Sequence, residues 1–139
     1  MTQLQETLRI ATPGRSLVDL TEDVSRVVTR SKVTTGLCVV FCAHTSASLL
    51  IQENADPAVQ RDLLAWLARA APDGDPRYEH DAEGPDDMAA HIRSAVTRSS
   101  ESIPVVRGRL ALGTWQALYL VEHRVRPQTR TLVVHVTGE

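Results

Sequence analysis

The segment from Gly36 to Pro57 constrains the fold of this chain more than any other part of the sequence. Residues 36–42 (GLCVVFC) are almost entirely apolar, which is typical of a β-strand buried in a core. Residues 43–56 then carry an imidazole, three hydroxyls, two carboxylates and two amides. The segment ends at Asp56-Pro57, where a side-chain acceptor followed by proline is typical of a helix N-terminus. Because polar side chains beside a core strand are costly to bury without partners, we predict a functional site at this junction.

The periodicity of apolar residues predicts a mixture of strands and helices along the chain. Strands are predicted at residues 3–11, 35–43, 46–51, 102–106, 110–112, 115–123 and 131–137, and helices at residues 19–30, 57–71 and 86–98. This order predicts a single α+β domain over residues 1–139, with helices covering antiparallel or mixed sheets. On the third helix, Met88, Ile92, Ala95 and Val96 are expected to face inward. Trp115 is expected to lie in the core of a β-hairpin.

Composition argues against several classes of protein. The net charge of −2 gives no reason to expect a nucleic-acid or anionic-membrane partner, and no apolar run approaches the roughly 20 residues of a membrane span. The first residues (MTQLQE) lack the basic start and apolar stretch of a signal peptide, so we expect a soluble cytoplasmic protein. Cys38 and Cys42 would lie about 13 Å apart on one strand, which is too far for a disulfide. Both are expected to be small core residues.

Three histidines among acidic residues are candidate metal ligands. His44 ends the buried strand, His80 lies in the acidic loop at residues 73–85, and His91 lies on the third predicted helix. Asp87 precedes His91 by four residues, so the two share a helical face and the carboxylate could fix the tautomer of the imidazole. Neither a His-Glu-x-x-His motif nor a Cys-x-x-Cys pair is present, so a metal site depends on the histidines meeting in space.

Oxygen donors of the kind that magnesium prefers form two groups, one with Glu53, Asn54 and Asp56 and one with Glu83, Asp86 and Asp87. The three aspartates are also explained as residues of helix starts, whereas Glu53 has no capping role. The hydroxyls of Thr45 and Ser46 are expected to donate to an anion or to buried backbone. A nucleophilic hydrolase using Ser46 or Ser48 with His44 is an alternative, although the Gly-x-Ser-x-Gly elbow of many hydrolases is missing.

A second unusual run follows the predicted strand at residues 102–106. Arg107 and Arg109 flank Gly108 and are candidate donors to phosphate oxygens. Residues 93–130 hold seven arginines against two glutamates, which is consistent with an anionic ligand. Gln116 points to the opposite side of its predicted strand from Trp115.

Several motifs in a fixed order connect these candidates. They are residues 44–57 (HTSASLLIQENADP), 78–80 (YEH), 83–92 (EGPDDMAAHI), 103–105 (IPV) and 108–116 (GRLALGTWQ). Together they resemble the YjbQ family, whose members are described as secondary thiamine-phosphate synthases. The chain departs from the family pattern at Ala89, where proline is common, and at Ala117, where glycine is common. The resemblance implies a sandwich-like α+β subunit with two to three helices, assembled as a homotrimer, with His44, His80 and His91 in one polar pocket.

The resemblance also implies a function, namely a metal-dependent enzyme that joins a pyrimidine diphosphate to a thiazole phosphate. Expulsion of pyrophosphate needs a divalent metal ion, zinc or magnesium, and cationic donors on the leaving group. We expect His44, His80 and His91 to bind the metal and, with Glu53, to serve catalysis. The candidate substrate-binding residues are Thr45, Ser46, Asn54, Asp86, Asp87, Arg107, Arg109 and Gln116. Two alternatives remain open, a metal- or metabolite-binding trimer without catalysis and a metal-dependent hydrolase.

Overall fold

Eight strands and three helices make up the computed structural model, which describes residues 1–139. The strands are β1 (Thr2–Thr12), β2 (Ser16–Asp19), β3 (Thr35–Cys42), β4 (Ala47–Glu53), β5 (Ser100–Val106), β6 (Arg109–Leu110), β7 (Gln116–Glu122) and β8 (Gln128–Gly138). The helices are α1 (Thr21–Ser31), α2 (Pro57–Ala70) and α3 (Asp87–Ala95). None of these helices combines the length and apolar character needed to cross a membrane. The predicted α+β class is confirmed.

The strands form two sheets in which every pair is antiparallel. The larger sheet has the order β1-β8-β3-β5-β6, and the smaller one has the order β2-β7-β4. The apolar strand predicted at residues 35–43 is β3, which lies between β5 and β8 in the larger sheet. The next strand, β4, belongs to the smaller sheet, so residues 43–46 carry the chain from one sheet to the other. The polar junction therefore lies at one end of the space between the two sheets.

A single hydrophobic cluster joins both sheets and α1. Strand β8 shows the alternation expected of a sheet with one covered face, because Leu132, Val134 and Val136 are buried and the residues between them are partly exposed. Leu49 of β4 and Leu120 of β7 face them from the smaller sheet. Full burial of each such side chain stabilises the fold by about 1.5–3 kcal/mol. This core holds the ends of β3 and β4 in fixed positions.

Both cysteines lie in that core. Cys38 and Cys42 are buried and neither forms a disulfide. Burial raises the pKa of each thiol to about 11, so both remain protonated at neutral pH. The expectation that they are small core residues is confirmed.

Helix starts follow the sequence prediction closely at α2 and less closely at α1. Asp56 caps α2, because its side chain accepts a hydrogen bond of 2.9 Å from the Ala58 backbone N–H, and Pro57 is the first helical residue. At α1 the Asp19 carboxylate accepts from the Thr21 N–H at 2.9 Å, but Leu20 occupies the N-cap position. Residues before Leu20 form β2, a strand that the sequence did not predict because four residues are too few to display alternation.

Two packing predictions were wrong. On α3 the buried residues include Ala89, Ala90 and Arg93, whereas Val96 is 60% exposed. The helix turns Arg93 inward because its guanidinium donates to the Ala71 backbone carbonyl at 2.8 and 3.1 Å. Trp115 is 63% exposed instead of buried, since it lies in the turn before β7, where strand alternation does not apply.

Candidate functional site

Two of the three predicted histidines meet at one carboxylate. The His80 Nε2 atom lies 2.6 Å and the His91 Nε2 atom 3.1 Å from the Asp87 Oδ2 atom. The two imidazole rings are edge to face, with centroids 5.4 Å apart. One donor atom from each residue lies within 4.8 Å of the others, so His80, Asp87 and His91 could hold one metal ion. We call these three residues the His-Asp-His cluster.

Local structure explains why these side chains converge. Asp87 and His91 lie one turn apart on α3, which puts them on the same helical face as predicted. His80 comes from the long loop between α2 and α3, and that loop is fixed at Gly74, whose backbone N–H donates to the Pro85 carbonyl at 2.8 Å. The loop thus folds back beside the start of α3. The acidic loop is therefore an ordered part of the fold.

The backbone at the polar junction orients His91. The His91 Nδ1 atom lies 3.0 Å from the Thr45 carbonyl oxygen, which can only accept a hydrogen bond. The His91 Nε2 atom faces Asp87 Oδ2, and an ionised carboxylate is also acceptor-only. A neutral imidazole has one N–H, so it can donate to only one of these two oxygens. A doubly protonated His91 ring donates to both oxygens, whereas a neutral ring that donates Nδ1–H to Thr45 turns its Nε2 lone pair toward the carboxylate, where a metal cation could lie between them.

Arg124 holds the carboxylates of the site, and sequence reasoning did not identify it. Its Nη1 atom lies 2.6 Å from Asp87 Oδ1, and its Nε atom lies 3.0 Å from Asp86 Oδ2. Burial alone would raise the pKa of Asp87, but the His80 hydrogen bond and the charges of Arg124 and His91 outweigh burial and lower it. Asp87 is only 2% exposed, and its lowered pKa keeps it an anion at neutral pH. The Asp86 carboxylate also accepts from the Val125 N–H at 2.9 Å, so Asp86 fixes Arg124 and the turn between β7 and β8.

Glu122 connects the two halves of the site. This fully buried carboxylate accepts from the Arg124 backbone N–H at 3.0 Å, from the Thr12 hydroxyl at 2.8 Å and from two nitrogens of Arg130. Burial by itself would raise the pKa of Glu122, but these donors, with Arg130 first, lower it. Arg130 in turn donates to the carbonyl and the hydroxyl oxygen of Ser46, both at 3.1 Å. One carboxylate therefore positions Arg124 on one side and the polar junction on the other.

His44 lies beside the His-Asp-His cluster but is not part of it. Its Nε2 atom accepts a hydrogen bond of 2.7 Å from the Thr131 backbone N–H. Burial and the charge of Arg130 lower the pKa of His44, so its ring is neutral at pH 7. His44 and His91 line one pocket of about 350 Å³ together with Thr45 and the hydroxyls of the α3 C-terminus. The three histidines thus share a neighbourhood, with His44 as a pocket wall and not as a third nitrogen of the cluster.

The remaining candidates lie at the opposite end of the sheets. Glu53 is six residues along β4 from Ala47, which is about 20 Å for an extended strand. Gln116 pairs with Glu53 across β4 and β7, and Arg109 lines a separate pocket with Gln116. Two further candidates, Asn54 and Arg107, lie in the turns at this same end. One Glu53 carboxylate oxygen, Oε2, is buried without a hydrogen-bond partner. Within a single chain these residues do not meet the histidines.

A Ser–His pair is present, but it is not the predicted one. The Ser48 hydroxyl lies 2.8 Å from the Nε2 atom of His123, and both residues are at most 1% exposed. Burial, reinforced by the charge of Arg93, lowers the pKa of His123 to about 4. No substrate can reach this pair, so it serves the packing of the buried polar network. His44 and Ser46 do not form a hydrogen bond with each other.

Donor chemistry fits a transition metal in the cluster. Two imidazole nitrogens and one carboxylate oxygen are the ligand set of many catalytic zinc sites, which leave a further position open. Two ligands of one tetrahedral zinc ion are about 3.4 Å apart, so the 2.6 Å contact of His80 with Asp87 has to lengthen on binding. The His80 side chain is 42% exposed on its loop and has room for this movement.

Residues that sequence reasoning missed are all arginine or glutamate partners of the candidates. Arg124, Arg130 and Glu122 belong to the last two long strands or the turn between them. One signal in the sequence was the excess of arginine between residues 93 and 130. A glutamate inside an otherwise apolar strand, as in residues 117–122, was a second signal that a buried cation lies nearby.

The fold and the site together define a class of protein, a small α+β domain of two antiparallel sheets with a His-Asp-His cluster at one end. The family model described as UPF0047 protein YjbQ-like matches residues 6–139, and the chain belongs to this family. It is 57% identical over 137 residues to a UPF0047 protein of Synechocystis, covering 99% of this chain and 93% of that protein. It is 38% identical over 136 residues to the YjbQ protein of Escherichia coli O157:H7, covering 97% and 98%.

Solved structures of related proteins have the same fold. A YbjQ-like protein of unknown function from Sulfolobus solfataricus superposes with a TM-score of 0.86 at 25% identity, over 99% of both chains. An uncharacterised conserved protein of the YjbQ/UPF0047 family from Clostridium acetobutylicum gives a TM-score of 0.84 at 36% identity, over 96% of this chain and 99% of that one. These likenesses confirm the family resemblance that the sequence motifs indicated.

Proposed function

We propose that this protein is a metal-dependent enzyme that acts on a small phosphorylated metabolite. His80, Asp87 and His91 would hold the metal ion. The observation that carries the proposal is the pair of acceptors around His91, the Thr45 carbonyl at 3.0 Å and the Asp87 carboxylate at 3.1 Å. A backbone carbonyl on one ring nitrogen is the usual way to direct the other nitrogen to a metal.

Zinc suits this donor set better than magnesium does. Magnesium prefers six oxygen ligands and keeps several waters, whereas imidazole nitrogens are common ligands of zinc. A bound zinc ion supplies Lewis-acid polarisation of a phosphoryl oxygen or a bound water of lowered pKa. The three protein ligands leave room for such a ligand, as in catalytic sites.

The protein's own residues would position the substrate and control charge. Arg124 keeps the Asp87 carboxylate in place and balances part of its charge. The pocket beside His91 is lined by hydroxyls and by His44, with no acidic side chain among its lining residues. Such a surface is suited to an anionic group. The adjoining pocket includes Phe41, an aromatic surface for a ring of the substrate.

Thiamine phosphate formation is the specific reaction that the family resemblance suggests. It would place a diphosphate beside the cluster and a ring against Phe41. The candidates Glu53, Asn54, Arg107, Arg109 and Gln116 could contribute to the same substrate only across a boundary between subunits. A homotrimer is therefore part of this proposal. In support, Leu37 and Phe41 lie on the outward face of the larger sheet with 39% and 46% exposure, a surface suited to contact between copies.

The proposal is tested by metal analysis followed by activity assays. Purified protein is expected to bind one zinc ion per chain by elemental analysis and calorimetry, and His91→Ala is expected to abolish binding without unfolding the protein. His135→Ala is the matched control, because His135 is a surface histidine that contacts Gln5. Zinc bound equally well by His91→Ala would refute the metal site.

Activity assays separate the proposal from its alternatives. Thiamine phosphate, measured by chromatography after incubation with the pyrimidine diphosphate and the thiazole phosphate, would support the specific reaction. Release of inorganic phosphate from phosphate esters, lost when zinc is removed, would instead support a metal-dependent hydrolase. Thermal stabilisation by these compounds without any product would indicate a binding protein.

A further inference from the structure

Arg130 is a buried cation with one weakly paired nitrogen. Its side chain is 6% exposed, and its Nε and Nη2 atoms donate to Glu122 and Ser46. The remaining atom, Nη1, has a single polar neighbour, the Nδ1 atom of His44 at 3.5 Å. Whether that neighbour can accept a hydrogen bond depends on the tautomer of His44.

The tautomer follows from the other ring nitrogen. Nε2 of His44 accepts the Thr131 N–H at 2.7 Å, so it carries the lone pair. A neutral imidazole then has its proton on Nδ1. The His44 Nδ1–H and the Arg130 Nη1–H are therefore two donors that face each other without an acceptor. Because His44 is half-buried in the wall of an open pocket, these donors are directed to whatever occupies that pocket, and an anion satisfies both of them better than water does.

Ser46 provides a third donor at the same place. Its hydroxyl oxygen accepts from Arg130 Nη2 at 3.1 Å, and its O–H is free to donate. His44 and Ser46 line a pocket of about 580 Å³ with Thr45 and Ser99, and Arg130 lies directly behind them. No carboxylate is among the lining residues of this pocket. It adjoins the pocket of His91, with which it shares His44, Thr45 and Ser99.

We propose that His44 Nδ1–H and Ser46 Oγ–H, backed by the Arg130 guanidinium, form an oxyanion site for the phosphoryl group of the ligand. Its role beside the metal rests on the function proposed above, whereas anion binding itself does not require the metal. This assignment gives His44 and Ser46 roles as hydrogen-bond donors, not as metal ligand and nucleophile. It also makes Arg130, and not Arg107 or Arg109, the cation that faces the phosphate.

The test uses metal-free protein and inorganic phosphate as the probe. Nitrogen NMR of the histidine rings is expected to show the proton of His44 on Nδ1 before any addition. Phosphate, titrated at constant ionic strength with chloride as the reference, is expected to shift the His44 ring and the Arg130 Nη signals in a saturable way. Ser46→Ala is expected to weaken phosphate binding about tenfold, and Ser102→Ala, which removes an exposed hydroxyl on the larger sheet, is expected to leave it unchanged.

A His44 proton on Nε2, or shifts that do not saturate, would overturn the inference. Saturable acetate binding without phosphate binding would also overturn it, since the group bound would then be a carboxylate. Asp87→Asn separates this site from the proposed function, because it should abolish zinc binding and leave phosphate binding to the metal-free protein intact. If wild-type protein binds zinc but not phosphate, only the oxyanion site fails. If it binds phosphate but not zinc, only the metal site fails.

Discussion

Replacing Asp87 by asparagine removes the charge at the centre of the cluster while keeping the shape of the side chain. The carboxylate accepts from His80, His91 and Arg124. The asparagine side chain can still accept from the arginine through its oxygen, but its amide hydrogens would face the imidazoles. Hydrogen bonds to charged groups contribute about 1.5–3 kcal/mol each, and the exposure of His80 reduces its share. We therefore expect a loss of about 2–3 kcal/mol in the free energy of unfolding at pH 7 for metal-free protein.

The pH dependence of this loss is a second, independent check. Because the folded pKa of Asp87 lies below its ordinary value, its contribution is present above pH 3.8 and is lost as the pH falls through the folded pKa. The difference between wild type and Asp87→Asn should therefore shrink in acid. The difference in the free energy of unfolding is measured by urea unfolding at pH 7 and at the lowest pH where both proteins fold. Asp81→Asn, at an exposed aspartate of the loop, is the control. An unchanged stability at pH 7, or a difference that does not shrink in acid, would refute the reasoning.

Three further predictions concern the buried network and the outer face. Glu122→Gln is expected to destabilise the protein by about 3–5 kcal/mol because it leaves Arg130 buried without its charge partner, whereas Glu101→Gln, at a partly exposed pair, should cost less than about 1 kcal/mol in the same urea assay. In the folded protein the pKa of His123 is about 4, against about 6.5 in the unfolded chain. Its contribution to the free energy of unfolding is therefore complete above pH 6.5 and is lost as the pH falls toward 4. Protonation of His123 in the unfolded state should lower the free energy of unfolding by about 2 kcal/mol between pH 7 and pH 5. A His123 ring that titrates near 6.5 in the folded protein, measured by NMR, would contradict this prediction. Phe41→Glu should lower the molar mass in solution measured by light scattering, while Gln3→Glu on the edge of the same face should not; an unchanged mass for Phe41→Glu would place the contact between copies elsewhere.

Local sequence patterns predicted most of the fold because they depend on neighbouring residues. The apolar run at residues 36–42 became β3, and Asp56-Pro57 began α2. The spacing of Asp87 and His91 gave a shared helical face, since one turn of helix separates them. One error fell where a distant partner determined the outcome, and the other where a turn interrupted the expected strand. Arg93 turned inward toward a carbonyl of the preceding helix end, and Trp115 lay in a turn.

The class of fold, most element boundaries and the residue types available for chemistry could therefore be predicted from the sequence. Which of these residues meet depends on how distant segments pack together. In the folded chain His80 lies beside Asp87 and His91, and His44 lies in the wall of the adjoining pocket. Glu53 is separated from these residues by the length of β4. Hydrophobic periodicity is a property of one continuous segment, whereas a site forms where side chains from several distant segments come together. The charges that hold this site, those of Glu122 and Arg130, are satisfied only by the packing of the two sheets.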